Sequence, residues 1–311
     1  MFKPVPVNSL RRVVKGNVWL ERAGANPELE LARLTVHELH PDIIETEALI
    51  GRSMLAELEA ATRAKEGPLV IALLGGRGAQ ALHRLLGERA RAGDPDGLIG
   101  RLHVFTQDAL APMRMENGFS FVRDFERLLG AEFFRRVMSF TTMRTNAPDL
   151  EVELARHVQK LEALGGLDIF FLGLGPEPGG SSHLAYIKPN SGATVIDMAG
   201  VIPISASILQ HHITKFRAGG SMVSADDEAE CRRATHILTL GPAAILGARR
   251  VVQSVVDAET APGKRESYLR VMETQIASDV ATRARQVDAN PGLWIRFHAN
   301  ARSLILPNVL S

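Results

Sequence analysis

The sequence contains several short apolar runs without alternation of polar and apolar residues, and segments with helical periodicity lie between them. One such run is LDIFFLG at residues 167–173, and it leads into the loop LGPEPGGSSHLAYIKP at 174–189. A strand that is apolar on both faces usually lies in a parallel sheet that helices cover on both sides. The run therefore indicates a buried central strand and restricts the fold to the α/β class.

Signals for strands and helices alternate along most of the chain. The segment PLVIALLGGRGAQALHRLL at 68–86 predicts a strand, a glycine turn and a helix, in that order. Further strands are predicted in GRLHVFTQD (100–108), VMSFTTM (137–143), RRATHILTLG (232–241), RRVVQSVV (249–256) and GLWIRFHANARSLILP (292–307). Helices are predicted in PDIIETEALIGRSMLAELEAATRAKEG (41–67), NGFSFVRDFERLLGAEFFRRV (117–137, as one or two helices) and DLEVELARHVQKLEALGG (149–166). This order predicts a doubly wound, mostly parallel, Rossmann-like sheet with helices on both faces.

The domain organisation follows from length and from this pattern. The chain has 311 residues, which is enough for one large α/β domain. We assign residues 41–311 to a single domain and residues 1–40 to an N-terminal extension, in which GNVWLER (16–22) is predicted to be a strand.

Composition and charge exclude several classes of protein. Lys and Arg number 36 against 35 Asp and Glu, so the net charge is +1 and no nucleic-acid partner is expected. The single cysteine, Cys231, excludes an internal disulfide and a multi-cysteine zinc site. The sequence shows neither a signal peptide nor an apolar stretch of about 18 residues, so we expect no membrane partner and a cytoplasmic location.

Loops beyond the carboxyl ends of the strands hold the candidate functional residues, because ligands bind there in open α/β sheets. The first such loop contains Gly75, Gly76, Arg77 and Gly78. Backbone N–H groups of a glycine turn at a helix N-terminus bind anions, and Arg77 would add a positive charge. A tight turn that needs glycine for a positive φ angle explains the same residues, and the sequence leaves both interpretations open.

Two further loops contain candidate acid–base groups. Asp108 is the last residue of the segment 100–108 and lies just past its apolar strand. Its carboxylate could act as a general base or as the N-cap of a following helix. His183 lies among small residues, and its imidazole either exchanges protons near neutral pH or forms a structural hydrogen bond. Lys188 in the same loop either binds a phosphate or carboxylate group or is a solvated lysine at the rim.

Taken in chain order, these loops resemble those of the glucosamine-6-phosphate deaminase/isomerase family, which shares its fold with 6-phosphogluconolactonases. GGRG (75–78), FTQDAL (105–110) and GLGPEPGGSSHLAYIKP (173–189) are similar to the family's phosphate loop, its Asn-Met-Asp-Glu segment and its later histidine loop. NAPD (146–149), ILTLGPAAILGARRVV (237–252) and RFHANA (296–301) also match family segments. The resemblance extends over about residues 42–306.

The resemblance implies a reaction and roles for individual residues. In the family, a phosphate-anchored amino sugar opens its ring with the help of the loop histidine. An aspartate then moves a proton between C2 and C1, and ammonia is released. Asp108 matches this aspartate, and His183 matches the histidine. No cofactor is implied, and the expected ligand is a small phosphorylated sugar.

The chain departs from the family pattern around the histidine. Two family acids that orient the histidine are replaced by Ser181 and Lys188, and we expect Glu177 to act as a substitute acid. A lower imidazole pKa follows from the loss of two acids beside a new cation. The candidates for further phosphate-binding residues are Lys264, Lys215 and Arg217.

Other functions stay open at the level of the sequence. A lactone hydrolase needs the histidine but not the proton-shuttling acid, and a non-catalytic sugar-phosphate-binding protein needs only the phosphate turn. Family members often form oligomers, so a homo-oligomer is a further option. His211 and His212 do not suggest a metal site, because adjacent residues on a helix point about 100° apart.

Overall fold

The computed structural model describes residues 11–256, 258–259 and 261–311. The strands are β1 (Arg11–Val14), β2 (Asn17–Glu21), β3 (Asp42–Ile43), β4 (Leu69–Leu73), β5 (Leu102–Thr106), β6 (Asp108–Ala111), β7 (Ser139–Thr141), β8 (Ile169–Glu177), β9 (Ser181–Leu184), β10 (Asp197–Pro203), β11 (His236–Leu240), β12 (Arg250–Val255) and β13 (Ala301–Ile305). The helices are α1 (Pro27–Arg33), α2 (Glu47–Ala64), α3 (Arg77–Arg91), α4 (Phe121–Arg136), α5 (Leu150–Ala163), α6 (Ala206–Ala218), α7 (Ala225–Cys231), α8 (Pro242–Leu246), α9 (Pro262–Glu273) and α10 (Val280–Ala289).

The main sheet is parallel and doubly wound, as the sequence predicts. Its strand order is β3-β13-β12-β8-β4-β5-β7, and the antiparallel strand β9 pairs with the end of β8. From β4 the chain proceeds outwards through β5 and β7, and from β8 it proceeds in the opposite direction through β12 and β13. The order of the strands therefore reverses between β4 and β8, and a crevice at such a reversal is where ligands bind in this class of fold.

Both faces of the main sheet are buried, which explains why its strands read as unbroken apolar runs. On β8, Ile169 and Phe171 pack into one core with residues of α2, α3, α4 and α6. Phe170 and Leu172 pack into the opposite core with residues of α5, α9 and α10. The α/β fold class with helices on both faces is confirmed.

A second, antiparallel sheet differs from the sequence-based prediction. Its order is β1-β2-β10-β11-β6. Strand β6 starts at Asp108, so the alternative that Asp108 caps a following helix is wrong. Strand β10 was not predicted, because Gly200 interrupts its short apolar run and glycine is unusual inside strands. Here the missing side chain gives room to Trp19, since a Cβ on Gly200 would lie 2.7 Å from the indole ring.

Part of the predicted N-terminal extension belongs to this second sheet. The strand predicted at 16–22 is confirmed as β2, which forms a hairpin with β1 and pairs with β10. Arg12 forms an ion pair with the buried Asp197, and the Trp19 indole N–H donates to the Ser191 carbonyl at 3.1 Å. Residues 1–10 lie outside the described residues, and the division at residue 41 stays a prediction.

Two smaller features complete the architecture. The helix predicted at 117–137 is α4, and Gly130 interrupts it with a φ angle of +74°, so it consists of two helical segments. Residues 292–307 are predicted to form one strand, but only their second half does so, as β13. The first half lies in the 3-10 turns of Pro291–Phe297. Within the described part of the chain, no helix is both long and apolar enough to cross a bilayer.

Candidate functional site

A cleft lies where the strand order of the main sheet reverses. It holds about 770 Å³ of space between protein atoms, a figure that includes its open mouth. Eight of the predicted site residues line it: Gly75, Gly76, Arg77, Gly78, Asp108, His183, Lys215 and Lys264. The structure thus brings together groups that are far apart in the sequence.

The glycine turn between β4 and α3 forms one wall of the cleft. Gly76 has a φ angle of +76°, and a Cβ on Gly75 would lie 2.1 Å from the ring of Phe121. Glycine is therefore required here for conformation and for packing. No side chain caps α3, so N–H groups of its first turn are left for another acceptor at the cleft. Arg77 forms an ion pair with Glu47 of α2.

Asp108 lies deep in the cleft with little access to solvent. Its side chain belongs to the first residue of β6, it is about 6% exposed, and its Oδ1 atom has no hydrogen-bond partner among the described residues. Burial raises the pKa of Asp108 to about 8, and a hydrogen bond with Gln107 offsets this only in part. The carboxyl group is therefore mostly protonated at neutral pH and is available to a ligand.

His183 lies on β9, and Glu177 at the end of β8 faces it across the hairpin. Glu177 Oε1 lies 3.3 Å from His183 Nδ1. Because a carboxylate only accepts hydrogen bonds, Nδ1 carries the hydrogen and Nε2 has the lone pair when the imidazole is neutral. Burial lowers the pKa of His183, Glu177 opposes this, and the charges of Lys264 and Lys188 lower the pKa further. The imidazole is therefore a neutral base at physiological pH.

Glu177 is held in turn by two serines at the start of α6. The hydroxyl groups of Ser205 and Ser207 donate to Glu177 Oε2 at 3.2 Å and 3.0 Å. Burial alone would raise the pKa of Glu177, but its hydrogen bonds with His183 and the two serines lower it overall. The carboxylate stays ionised and fixes the edge of the imidazole. Glu177 therefore lies where its carboxylate can orient the imidazole of His183.

Comparisons with known proteins find relatives by sequence and by fold. No family model matches the sequence. The chain is 24% identical over 162 residues to the glucosamine-6-phosphate deaminase of Bacteroides thetaiotaomicron, a match that covers 50% of this chain and 56% of that protein. It is 25% identical over 158 residues to the enzyme of the same name from Porphyromonas gingivalis W83, with 50% of this chain and 57% of that protein covered. The chain thus spans about half the length of the curated relatives it matches.

Solved structures extend the similarity to nearly the whole fold. A monomeric glucosamine-6-phosphate deaminase has a TM-score of 0.64 at 19% identity, covering 87% of this chain and 98% of that chain. The 6-phosphogluconolactonase of Trypanosoma cruzi has a TM-score of 0.62 at 14% identity, covering 89% and 97%. The chain shares its fold with glucosamine-6-phosphate deaminases and 6-phosphogluconolactonases, and its sequence resembles that of the deaminases. The resemblance inferred from the loops is thereby confirmed.

Two of the predicted binding residues lie outside the lining of the cleft. The ammonium group of Lys188 donates to the Pro203 carbonyl, so it is already held, although its charge still acts on His183. Arg217 forms an ion pair with Glu228 on α7. It lies two residues after Lys215 on α6, so the two side chains leave the helix on different sides. Direct phosphate binding by Lys188 and Arg217 stays a prediction.

The remaining predicted cations line the cleft from two sides. Lys215 lies in the last turn of α6, and Lys264 lies in the first turn of α9 and is buried. Both have interactions with neighbouring groups. Their positive charges face the same space as the uncapped start of α3, which makes this part of the cleft favourable for an anion.

Sequence reasoning missed several polar groups of the cleft. Gln107, Tyr186, His212 and Ser254 all line it. Gln107 stands next to Asp108, and that adjacency was the available signal. Tyr186 and His212 gave none, since their contact depends on how α6 packs against the hairpin of β8 and β9.

The described residues contain no group of three or more His, Cys, Asp or Glu side chains that could hold a metal ion. His212 is committed elsewhere, because its Nε2 atom lies 2.7 Å from the Phe119 carbonyl oxygen.

Proposed function

We propose that the protein is a sugar-phosphate isomerase/deaminase that converts a 2-amino aldose phosphate into a ketose phosphate and ammonia. The observation that carries this proposal is Asp108: a buried carboxyl group with an unpartnered oxygen, in the same cleft as a held histidine and the start of a helix without a side-chain cap. A buried polar atom without a partner is expensive, and such atoms occur where a ligand supplies the partner.

The phosphate group is proposed to bind at the N-terminus of α3. The N–H groups of the turn at residues 75–78 would donate to it, and Lys215 would add charge. Lys264 lies nearer to His183, since its charge acts on the imidazole pKa. It therefore suits an oxygen at the reacting end of the sugar.

His183 is proposed to open the sugar ring. Its neutral Nε2 atom takes the proton from the hydroxyl group on C1 and returns it to the ring oxygen, so the C1–ring oxygen bond breaks and an aldehyde forms. Glu177 stabilises the imidazolium during this exchange, because it already accepts the Nδ1–H bond. The substitution of the two family acids thus leaves the histidine with a carboxylate partner.

Asp108 is proposed to move the proton between the two carbons. As a carboxylate it removes the proton from C2, and the resulting enolamine takes the proton back at C1. The nitrogen on C2 is then an imine, which water hydrolyses to the ketone and ammonia. Asp108 is protonated in the empty cleft at neutral pH, so the ionised fraction of Asp108 limits the reaction there.

Hydrolysis of a sugar lactone is the second candidate, and the pair of His183 and Glu177 favours it. A neutral imidazole with a carboxylate behind it can activate a water molecule, and this needs no contribution from Asp108. The T. cruzi structure, a 6-phosphogluconolactonase, shares the fold.

One pair of assays separates the candidates. The purified protein is incubated with a panel of 2-amino sugar phosphates and ammonia is measured, and separately with 6-phosphogluconolactone while acid release is followed. The proposal expects ammonia, no acid above the spontaneous rate, and loss of ammonia release in Asp108→Asn. Acid release that survives Asp108→Asn but not His183→Gln would establish the lactonase instead.

A non-catalytic binder would behave differently from both. It would show thermal stabilisation by the sugar phosphate without ammonia or acid, because a ligand that binds only the folded state raises its stability. That result would overturn the proposed activity and leave only the binding site.

A further inference from the structure

The backbone directly after His183 is strained. Ala185 and Tyr186 have φ angles of +46° and +60°, a region that favours glycine. They form the two central residues of a tight turn in which Leu184 and Ile187 exchange hydrogen bonds at 3.1 Å and 2.7 Å. Turns of this kind normally carry Asn or Gly at both central positions. Strain of this sort persists only where the surrounding structure enforces it.

Two strands hold the strained turn in place. The Ala185 N–H donates to the Gly173 carbonyl of β8 at 3.3 Å, and the Thr239 hydroxyl of β11 donates to the Ala185 carbonyl. The turn is therefore fixed between the main sheet and the second sheet. Its result is that the Tyr186 side chain points back over His183, with 4.6 Å between the centres of the two rings.

The far end of the Tyr186 ring is anchored on α6. Its hydroxyl oxygen lies 3.4 Å from His212 Nδ1, and His212 Nε2 lies 2.7 Å from the Phe119 carbonyl oxygen. A carbonyl only accepts, so Nε2 carries the hydrogen and Nδ1 accepts from the tyrosine. Burial lowers the pKa of His212 to about 4, which keeps this arrangement at neutral pH.

We propose that Tyr186 is a positioning residue for His183 and that His212 acts through it. The ring of Tyr186 blocks rotation of the imidazole on one face, while Glu177 holds its edge. Close contact with Gly175 limits the Nε2 end, where an added Cβ would lie 1.9 Å from the nitrogen. Helix α6 thus anchors the imidazole twice, through Ser205 and Ser207 to Glu177 and through His212 to Tyr186.

The kinetic test rests on the proposed function and uses ammonia release from the amino sugar phosphate. Tyr186→Leu removes the ring and is expected to lower kcat about 10- to 100-fold with KM changed less than about twofold, since orientation affects the transition state more than binding. Tyr186→Phe keeps the ring and loses only the anchor, so a fall of about 2- to 5-fold in kcat is expected. Tyr268→Phe is the matched control, because this hydroxyl bonds to Ser303 away from the cleft.

A second readout needs no substrate. The protein is labelled with 15N-histidine, the His183 signals are assigned with His183→Gln, and the imidazole is titrated by NMR. Loss of the Tyr186 ring admits water, so Tyr186→Leu is expected to raise the His183 pKa towards its ordinary value of about 6.5. Glu177, Lys188 and Lys264, the charged groups that act on His183, are unchanged in every variant.

The two readouts separate the possible failures. A protein without any turnover overturns the proposed function, yet the titration still tests the positioning role. Wild-type kcat and an unshifted His183 pKa in Tyr186→Leu would overturn that role, and so would a loss confined to KM. If Tyr186→Leu does not fold, Tyr186→Phe decides: wild-type kcat in this variant overturns the proposal.

Discussion

Asp108 shows how one buried side chain can link activity to pH. Its pKa of about 8 means that the carboxylate required to remove a proton from C2 is a minority species at pH 7. The pH dependence of kcat/KM reports the free enzyme. We expect kcat/KM for ammonia release to rise about tenfold per pH unit below pH 7 and to level off above pH 8.

The substitution Asp108→Asn tests that assignment. It should lower kcat/KM by about 10²- to 10⁴-fold, the usual contribution of general acid–base catalysis. The residual activity should lose the rise between pH 6 and pH 8, and a profile that keeps it would assign the titrating group to another residue.

The same substitution should stabilise the folded protein at alkaline pH. In the native state Asp108 has a raised pKa, so folding takes up a proton between the ordinary carboxyl pKa and about 8, and stability falls as pH rises through this range. Asn cannot ionise, so the variant avoids the cost of burying a charged carboxylate, and its free energy of unfolding should be higher by about 2–5 kcal/mol at pH 8.5. Urea unfolding at pH 5 and pH 8.5 measures it, and equal effects at both values would contradict the raised pKa.

At the scale of elements, the start of α3 depends on a glycine with a positive φ angle. Gly76 has a φ angle of +76° and a ψ angle of −169°, a region almost restricted to glycine, so Gly76→Ala adds strain of about 1–3 kcal/mol and disturbs the N–H groups that would bind phosphate. We expect weaker thermal stabilisation by inorganic phosphate together with a lower melting temperature.

A matched control isolates the binding effect from the strain. Gly67 has a φ angle of +82°, and a Cβ there meets nothing within 4 Å. Gly67→Ala should lower the melting temperature by a similar amount and leave the stabilisation by phosphate unchanged. Equal loss of phosphate stabilisation in both variants would show that the turn at Gly76 is only structural.

The sequence predicts the elements of the main sheet better than those of the second sheet. Strands β4 and β8 are buried on both faces, so their composition alone identifies them. Strand β6 has only four residues, and Gly200 breaks the signal of β10, so only their pairing partners define them. Local patterns cannot supply such partners.

The same limit applies to the candidate site. The glycine turn, Asp108 and His183 follow strands directly, so the doubly wound topology brings them to one edge. Lys188 and Arg217 lie close to site residues in sequence but are drawn to the Pro203 carbonyl and to Glu228. Which of two neighbouring cations faces a cleft depends on tertiary packing.

Across the whole molecule, buried histidines and buried carboxyl groups have opposite effects on stability at acid pH. Burial lowers the pKa of His83 to about 3 and that of His157 to about 4, so the unfolded state binds more protons below about pH 6.5. Burial raises the pKa of Asp197 to about 6, as it does for Asp108, so here the folded state binds more protons. The two effects act in opposite directions between pH 7.5 and pH 5.5.

Substitution of His83 should disturb this balance. Its side chain on α3 is fully buried against Phe125, with 4.9 Å between ring centres, and neither ring nitrogen has a hydrogen-bond partner among the described residues. His83→Leu removes two unsatisfied polar atoms and should stabilise the protein by about 1–2 kcal/mol at pH 7.5. The gain should grow by about 1.3 kcal/mol at pH 5.5, because the unfolded chain no longer takes up that proton.

Urea unfolding of the wild type and His83→Leu at the two pH values measures both effects. The position lies away from the cleft, so ammonia release provides a check that the site is intact. His236→Leu is a suitable comparison, since this histidine is half-buried at the start of β11 and its Nδ1 contacts the Thr235 hydroxyl. A pH-independent gain in His83→Leu would mean that the His83 imidazole becomes protonated in the folded protein, and its burial would then not be the source of the acid sensitivity.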